Sequence, residues 1–309
     1  PDLIKAVTPL TSKTDWIAST LFSSPQIHLI VVIILGLILT IPALSVATSL
    51  VNWLVTLMVR PNILPKLDFT DEIPDAFRTL VVIPAMISNC DEIDSLVQQL
   101  ELHYLRNPEP GLLFALLTDF RDSESESLPE DEAMLEYAIK AIESLNAKYQ
   151  IPVPADLAAS VLENGQMENE PQNDSKLFYF LHRRRLWNPS EQKWMGWERK
   201  RGKLHELNLF LRGNRTTSFT TLTSAMFTKN SPLQRAHFVI TLDTDTILPR
   251  GAACRLAGTL AHPLNQAEFD SKTRQIVSGF TILQPRMEIH PKSANFSWFT
   301  RLFAGDAGL

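Results

Sequence analysis

Phe238-Val-Ile-Thr-Leu-Asp-Thr-Asp-Thr246 is a short apolar run, rich in β-branched residues, that stops at two carboxylates one residue apart. Such a run is too short for a helix of its own and has the composition of a strand buried on both faces of a parallel sheet. Three other segments read the same way. Arg78-Thr-Leu-Val-Val-Ile-Pro84 is expected to end at its proline, Leu112-Leu-Phe-Ala-Leu-Leu-Thr118 runs into Asp119, and Phe178-Tyr-Phe-Leu181 is the shortest. Helical patterns lie between them. One runs from about Glu92 to Leu105, capped by Ser88, Asn89 or Asp91, with Ile93, Leu96, Val97, Leu100 and Leu102 near helical spacing. A second, rich in Ala, Glu and Leu, runs from about Asp131 to Lys148. Strand and helix in alternation, with acids at the strand ends, predict an α/β fold built on an open, mostly parallel sheet whose ligands gather at those ends.

Three features of this scaffold can carry chemistry. Strand alternation is expected to turn Asp243 and Asp245 to the same side, where they can share a hard divalent cation that also takes phosphate oxygens. Two carboxylates so close repel, and a cation relieves them; a solvated turn or an Asx cap accounts for the same spacing. Asp119 stands where acids in nucleotide-binding sheets accept hydrogen bonds from a base or ribose, although a helix cap satisfies the same geometry. From Phe178 to Arg215 there are ten Lys and Arg against three Glu, with Trp187, Trp194 and Trp197 interleaved. Within it, Gly202 allows close backbone approach and Lys203, expected to open a helix, is placed to neutralise a diphosphate. Single-stranded nucleic acid, anionic lipid or plain solvent are the competing partners for such a stretch. A strand-like Gln275-Ile-Val-Ser-Gly-Phe-Thr-Ile-Leu-Gln-Pro-Arg286 follows, and says little by itself.

The chain of 309 residues is 45% hydrophobic and 20% charged, which suffices for one large domain or two ordinary ones and excludes a disordered or collagen-like polymer. A net charge of -5 argues against a dedicated nucleic-acid binder. Cys90 and Cys254 can form at most one bridge, so a disulfide scaffold is excluded and a reducing compartment is the default. Residue 1 is Pro rather than Met, and the sequence is therefore read as a processed or excised piece of something longer. Between Asp15 and Arg60 no Asp, Glu, Lys or Arg occurs, and Ile27 to Leu44 is almost wholly apolar. This is expected to be a transmembrane helix, kinked or ended by Pro42. The Ser- and Thr-bearing stretch from Ser45 to Val59 suits an exit turn, an interfacial helix with Trp53 at headgroup depth, or a short second span; one span plus an interfacial segment fits the length best. Arg60 and Lys66 place the C-terminal side in the cytoplasm, a signal that Lys5 and Lys13 blunt. The Pro-rich residues 61–77 read as a linker, and Pro152 to Ser175 as a loop or insertion.

Several of these segments together resemble the glycosyltransferase region of cyclic β-1,2-glucan synthases, bacterial membrane enzymes of glycosyltransferase family 84. The likeness is carried by Leu67-Asp-Phe69, Thr79-Leu-Val-Val-Ile-Pro84, Glu198-Arg-Lys-Arg-Gly-Lys-Leu-His-Glu-Leu-Asn208, Ile240-Thr-Leu-Asp-Thr-Asp-Thr246, Leu260-Ala-His-Pro-Leu-Asn265, Ile282-Leu-Gln-Pro-Arg286 and Arg301-Leu-Phe-Ala-Gly-Asp-Ala-Gly-Leu309. It implies four parts: an N-terminal flank (1–25), a transmembrane helix with an interfacial segment (26–60), the linker (61–77), and a GT-A-like domain (78–309) that is C-terminally incomplete. It also implies a protein of the bacterial inner membrane, in contact with lipid, with its globular domain in the cytoplasm. The implied reaction moves glucose from UDP-glucose to a glucan acceptor, with Asp119 on the uracil or ribose side, Lys203 near the diphosphate, and Asp243 and Asp245 holding Mg²⁺ or Mn²⁺. A β-product from an α-linked donor means inversion, which needs a base. No base is assigned. Only residues 246–309 follow Asp245, no Gln-x-x-Arg-Trp acceptor motif is present, and Asp306 and Asp270 are the late acids to try first. The chain alone is accordingly expected to bind or slowly hydrolyse the donor rather than make glucan. Asp243-Thr-Asp-Thr246 also matches the signature of haloacid-dehalogenase-type phosphatases, with Asp243 as nucleophile and Asp245 as acid-base. A non-catalytic, membrane-tethered nucleotide-sugar-binding module is the third reading.

Overall fold

The computed structural model describes residues 25–59, 63–69, 72–149, 176–228, 231–287, 289 and 291–303, and the chain divides into two compact units between Ile63 and Leu64. In the first unit, α1 (Pro25–Met58) is a single helix of 34 residues. Its Leu29–Met58 stretch is long and apolar enough to cross a membrane. The expected interruption at Pro42 and the separate interfacial segment are not seen; the backbone is helical on both sides of Pro42. Threonine hydroxyls on both sides of Pro42 turn back onto the helix. Thr40, Thr48 and Thr56 donate to the carbonyls of Gly36, Leu44 and Asn52 at 2.7, 2.8 and 2.7 Å, so their polar groups are satisfied without leaving it.

The second unit is built on four parallel strands: β1 (Thr79–Ile87), β2 (Leu112–Phe120), β3 (Phe178–Arg183) and, at the other edge, β6 (Phe238–Thr241), in spatial order β3-β2-β1-β6. Between β3 and β6 come a short hairpin, β4 (Leu186–Asn188) and β5 (Lys193–Met195). Odd residues of β1 (Val81, Ile83, Ala85, Ile87) face one layer of core, shared with helices α2 (Cys90–Arg106), α3 (Asp131–Lys148) and α5 (Ala252–Ala261). Even residues Leu80 and Val82, with Leu113, Ala115 and Leu117 of β2, face a second layer formed by helix α4 (Arg199–Leu211) and residues 219–233. Burial on both faces is why these strands read as unbroken apolar runs. Asn89 is the residue that caps α2, accepting from the Glu92 amide at 2.8 Å, while Ser88 donates to the Glu92 carboxylate.

Three boundaries differ from expectation. Pro84 does not end β1, which continues to Ile87. Even residues of β1 turn their backbone groups toward β6: Arg78 O accepts from His237 N and Val82 O from Leu242 N. The next bond of that ladder would need a donor at 84, so the proline ends the pairing with β6 at Val82↔Thr241 without ending β1, which goes on pairing with β2. Residues 64–77, expected as linker, belong to the globular unit. Phe69 and Ile73 are buried in the core, Leu67 N donates to Gly258 O at 3.0 Å, and Asn265 Nδ2 donates to Pro65 O at 2.7 Å. Proline content suggested a linker, but the three apolar residues decide the outcome by burial. Lastly, the strand-like stretch from Gln275 pairs through β8 (Gln275–Ser278), antiparallel to β7 (Glu268–Asp270), turns at Gly279 with φ +76°, and makes one further parallel bridge, Phe280 to Gln266. The last two helices, α6 (Pro291–Ala294) and α7 (Trp298–Phe303), are short. The 152–175 loop and Asp306 lie outside the described residues.

Two predictions follow from this arrangement of burial. Extraction of the full chain should require detergent, and a chain starting at Leu64 should be recovered far better without it; soluble full-length chain in the absence of detergent would remove the membrane helix from the account. Removing residues 64–77 as well should lower the melting temperature sharply, because Leu67, Phe69 and Ile73 leave with them.

The second concerns pH. His103 and His182 are each about 1% exposed, and burial lowers both pKa values to about 4. Below about pH 6.5 the unfolded chain takes up protons that the folded chain refuses, so stability present above that pH is lost as the pH falls toward 4. Denaturant titration of the detergent-solubilised chain at pH 7.5 and 5 should show a loss of roughly 1–2 kcal/mol for each histidine. Stability that is the same at both values would contradict the buried neutral rings.

Candidate functional site

The C-terminal ends of β1, β2 and β3 come into one register, with Met86 opposite Asp119 and Asp119 opposite Arg183. Asp119 and Arg183 therefore point to the same face of the sheet, the one covered by α4. Arg183 Nη2 donates to Asp119 Oδ2 at 2.9 Å, and Lys203 Nζ donates to Asp119 Oδ1 at 2.8 Å and to Ala85 O. All three side chains are 3% exposed or less. Burial pulls the Lys203 pKa down, against the opposing pull of Asp119. Two sequence candidates are thus brought together, bonded to each other. Lys203 lies in the second turn of α4, not at its start, since the helix opens at Arg199.

A tight elbow leads into α4. Glu198 (φ 46°, ψ 28°) and Arg199 (φ 46°) are both left-handed, a conformation that costs non-glycine residues roughly 1–2 kcal/mol each. Arg183 holds the elbow from beneath: Nη1 donates to Trp197 O at 3.1 Å and Nη2 to Arg199 O at 3.2 Å. Glycines make room. A Cβ on Gly196 would stand 2.3 Å from Asp119 Oδ2, and one on Gly202 would stand 1.9 Å from Trp197 O. The close approach that Gly202 permits is therefore to the elbow's own backbone. From the elbow Arg199 reaches Asp122 at 2.6 Å and Lys200 pairs with Asp243.

Asp243 and Asp245 do not sit on a continuing strand. Residues 243–246 form a turn closed by Thr246 N to Asp243 O at 2.9 Å, so strand alternation does not govern their direction. Both carboxylates are exposed, and Asp245 has no hydrogen bond or ion pair with any described residue. The loop behind them is fastened by one face of α2. Gln99 Nε2 donates to Thr244 O, His103 Nδ1 accepts from Leu248 N at 3.4 Å, and Asn107 Oδ1 accepts from Gly251 N at 2.9 Å. Among the described residues no group of three or more His, Cys, Asp or Glu gathers as in an all-protein metal cage. Two exposed hard carboxylates still suit Mg²⁺ or Mn²⁺, because such ions keep waters and take substrate phosphates as their remaining ligands.

Sequence reading missed Arg183, Arg199, Lys200 and the Gln99–His103–Asn107 ladder. The ladder had a signal: His103 and Asn107 continue the buried spacing of Ile93, Leu96 and Leu100 in a polar residue type. Three of the ten cations in the basic run are consumed internally as well. Besides Arg183 and Lys203, Arg185 is buried against Asp131 and also donates to Arg121 O at 2.6 Å, closing the acidic loop before α3.

The buried and exposed lysines should behave oppositely. Lys203→Ala leaves Asp119 buried with one partner fewer and should cost about 3–5 kcal/mol. Lys200→Ala removes an exposed pair and should cost no more than about 1 kcal/mol. Thermal denaturation of both variants decides this, and equal losses would mean that the buried cluster is not what holds the strand ends together.

No protein-family model matches the chain. It is 42% identical over 279 residues to cyclic beta-(1,2)-glucan synthase NdvB of Rhizobium meliloti (strain 1021). The aligned part takes in 90% of this chain, and the chain spans about 9% of that relative's length.

Proposed function

We propose that this chain is the donor-binding part of a membrane-bound, GT-A-like glycosyltransferase that moves glucose from UDP-glucose to a growing cyclic β-1,2-glucan with inversion. What carries the reading is its similarity to a glucan synthase along most of its length. The geometry supports it through the parallel sheet. Chain order reverses between β1 and β6, and the crevice at such a reversal, beyond the strand C-termini, is where open α/β sheets bind ligands. Asp119, Lys203 and Asp243 all stand at that end of the sheet.

In this reading Asp119 and Lys203 form the floor of the nucleotide site, on the uracil or ribose side and toward the diphosphate respectively. Arg199 and Lys200 are half-exposed and supply cations that a diphosphate can reach from solvent. Asp243 and Asp245 would hold Mg²⁺ or Mn²⁺, whose charge would stabilise the departing UDP. The acceptor hydroxyl then attacks the anomeric carbon from the opposite face, and the base that takes its proton is assigned to no described residue. Helix α1 anchors the protein in the bacterial inner membrane, in contact with lipid, with the globular unit in the cytoplasm where Arg60 and Lys66 flank the span. Nucleic acid is left out of this reading: the net charge is -5, and three of the ten cations of the basic run, Arg183, Arg185 and Lys203, are engaged in buried ion pairs.

Calorimetric titration of the detergent-solubilised chain with UDP-glucose or UDP, with and without Mn²⁺, tests the proposal. Binding should depend on the cation, and Asp243→Asn and Asp245→Asn should each remove most of that dependence, since an amide keeps the shape but loses the charge. Release of phosphate from a phosphate ester would favour the phosphatase instead. Silence toward every nucleotide would leave a tethering module.

A further inference from the structure

We infer that Arg183 is a positioning residue: its buried guanidinium, held by Asp119, maintains the left-handed elbow that presents Arg199 and Lys200 at the mouth of the site. The inference rests on the nucleotide-sugar reading for the ligand, but its structural half stands on geometry alone.

Two consecutive left-handed residues without glycine persist only where their surroundings fix them. Around Glu198 and Arg199 the fixing groups are identifiable. Both Arg183 Nη atoms donate to carbonyls of the elbow, one on each side of Glu198. The guanidinium can do this because Asp119 Oδ2 binds Nη2 at 2.9 Å and Glu206 Oε2 lies 3.6 Å from Nη1, so its fork is aimed before the elbow is reached. A planar fork can bind two carbonyls and a carboxylate at once, whereas an ammonium on a lysine stem is a point donor. Arg183 itself is about 1% exposed, so it cannot meet a ligand directly. Its effect must pass through the backbone it holds.

That backbone sets the direction of two side chains. Arg199 spans to Asp122, beyond β2, and Lys200 to Asp243, beyond β6, so a turn of the elbow would withdraw both cations from the crevice. The left-handed cost is borne by Glu198 and Arg199, and the hydrogen bonds from Arg183 offset it. Substituting glycine at 198 removes part of that cost by a separate route.

The test uses the full-length chain in detergent with UDP as the probe in the presence of Mn²⁺. Arg183→Lys keeps the charge beside Asp119 and loses the fork; it should weaken UDP at least about tenfold, as removal of an outer-shell support typically does. Adding Glu198→Gly to Arg183→Lys should restore most of that loss, with Glu198→Gly alone as the control for the missing carboxylate. Trypsin should cleave after Arg199, Lys200 or Arg201 faster in Arg183→Lys than in the wild type, and the second substitution should slow it again. UDP affinity unchanged in Arg183→Lys overturns the inference. So does a loss that follows the melting temperature and is not recovered by glycine, since that is the behaviour of a purely structural arginine. If the wild type binds no UDP while the proteolysis rates still divide as expected, the nucleotide-sugar reading falls and the elbow's dependence on Arg183 stands.

Discussion

The carboxylate of Asp119 is shared by two buried cations, and the three side chains come from β2, β3 and α4 while a fourth element, β1, contributes the carbonyl of Ala85. Burying any one of these charges alone would cost several kcal/mol. Each is tolerable only because the others are in place, so the cluster makes the strand ends and the helix interdependent. Leu207 and Phe210 seat α4 on the even face of the sheet by non-directional apolar packing. The ion cluster has one geometry that satisfies it. It therefore fixes where α4 begins, and with that the elbow and the two exposed cations.

Most of the sheet was legible because burial on both faces of β1, β2 and β3 demands apolar runs that chance rarely produces, whereas β6, at the edge, is only half-buried. Leu112 to Leu117 are all buried, and six apolar residues in a row ending at a carboxylate are too few for a helix of their own. Helices α2 and α3 were visible through their spacing. What could not be read was any feature that depends on a partner distant in sequence. Arg183 is one of ten cations in its stretch and looks no different from Arg184 or Arg212 until β2 is laid beside it. The strand expected to carry Asp243 and Asp245 stops at Thr241, a length set by its neighbour rather than by its own residues. Proline misled three times, at Pro42, at Pro84 and across 64–77, since it reports a missing donor and a fixed φ, and neither by itself ends an element or keeps a residue from being buried.

Two layers on opposite faces of the sheet meet at the acid loop. From one side α2 fastens residues 244–251 through Gln99, His103 and Asn107; from the other, α4 reaches Asp243 through Lys200. The first set deepens from the exposed Gln99 bond to the buried His103 bond, while the second is half-exposed. A ligand that takes Lys200 or Asp243 for itself would therefore loosen the α4 side and leave the α2 side unchanged, so any movement on binding should be one-sided.

Pro84 bears on a different hazard. Beyond Val82, β1 outruns β6 and becomes an unpaired margin of an otherwise covered sheet. Open margins of this kind invite a strand from another molecule to add itself, the first step of aggregation at the concentrations reached on a crowded membrane surface. An incoming strand needs the donor at position 84, and the ring withholds it. The same residue that ends the pairing with β6 thus withholds a donor from a stranger's strand as well, and because Pro84 is itself buried, a residue with an N–H in its place would bring an unpaired donor into the fold.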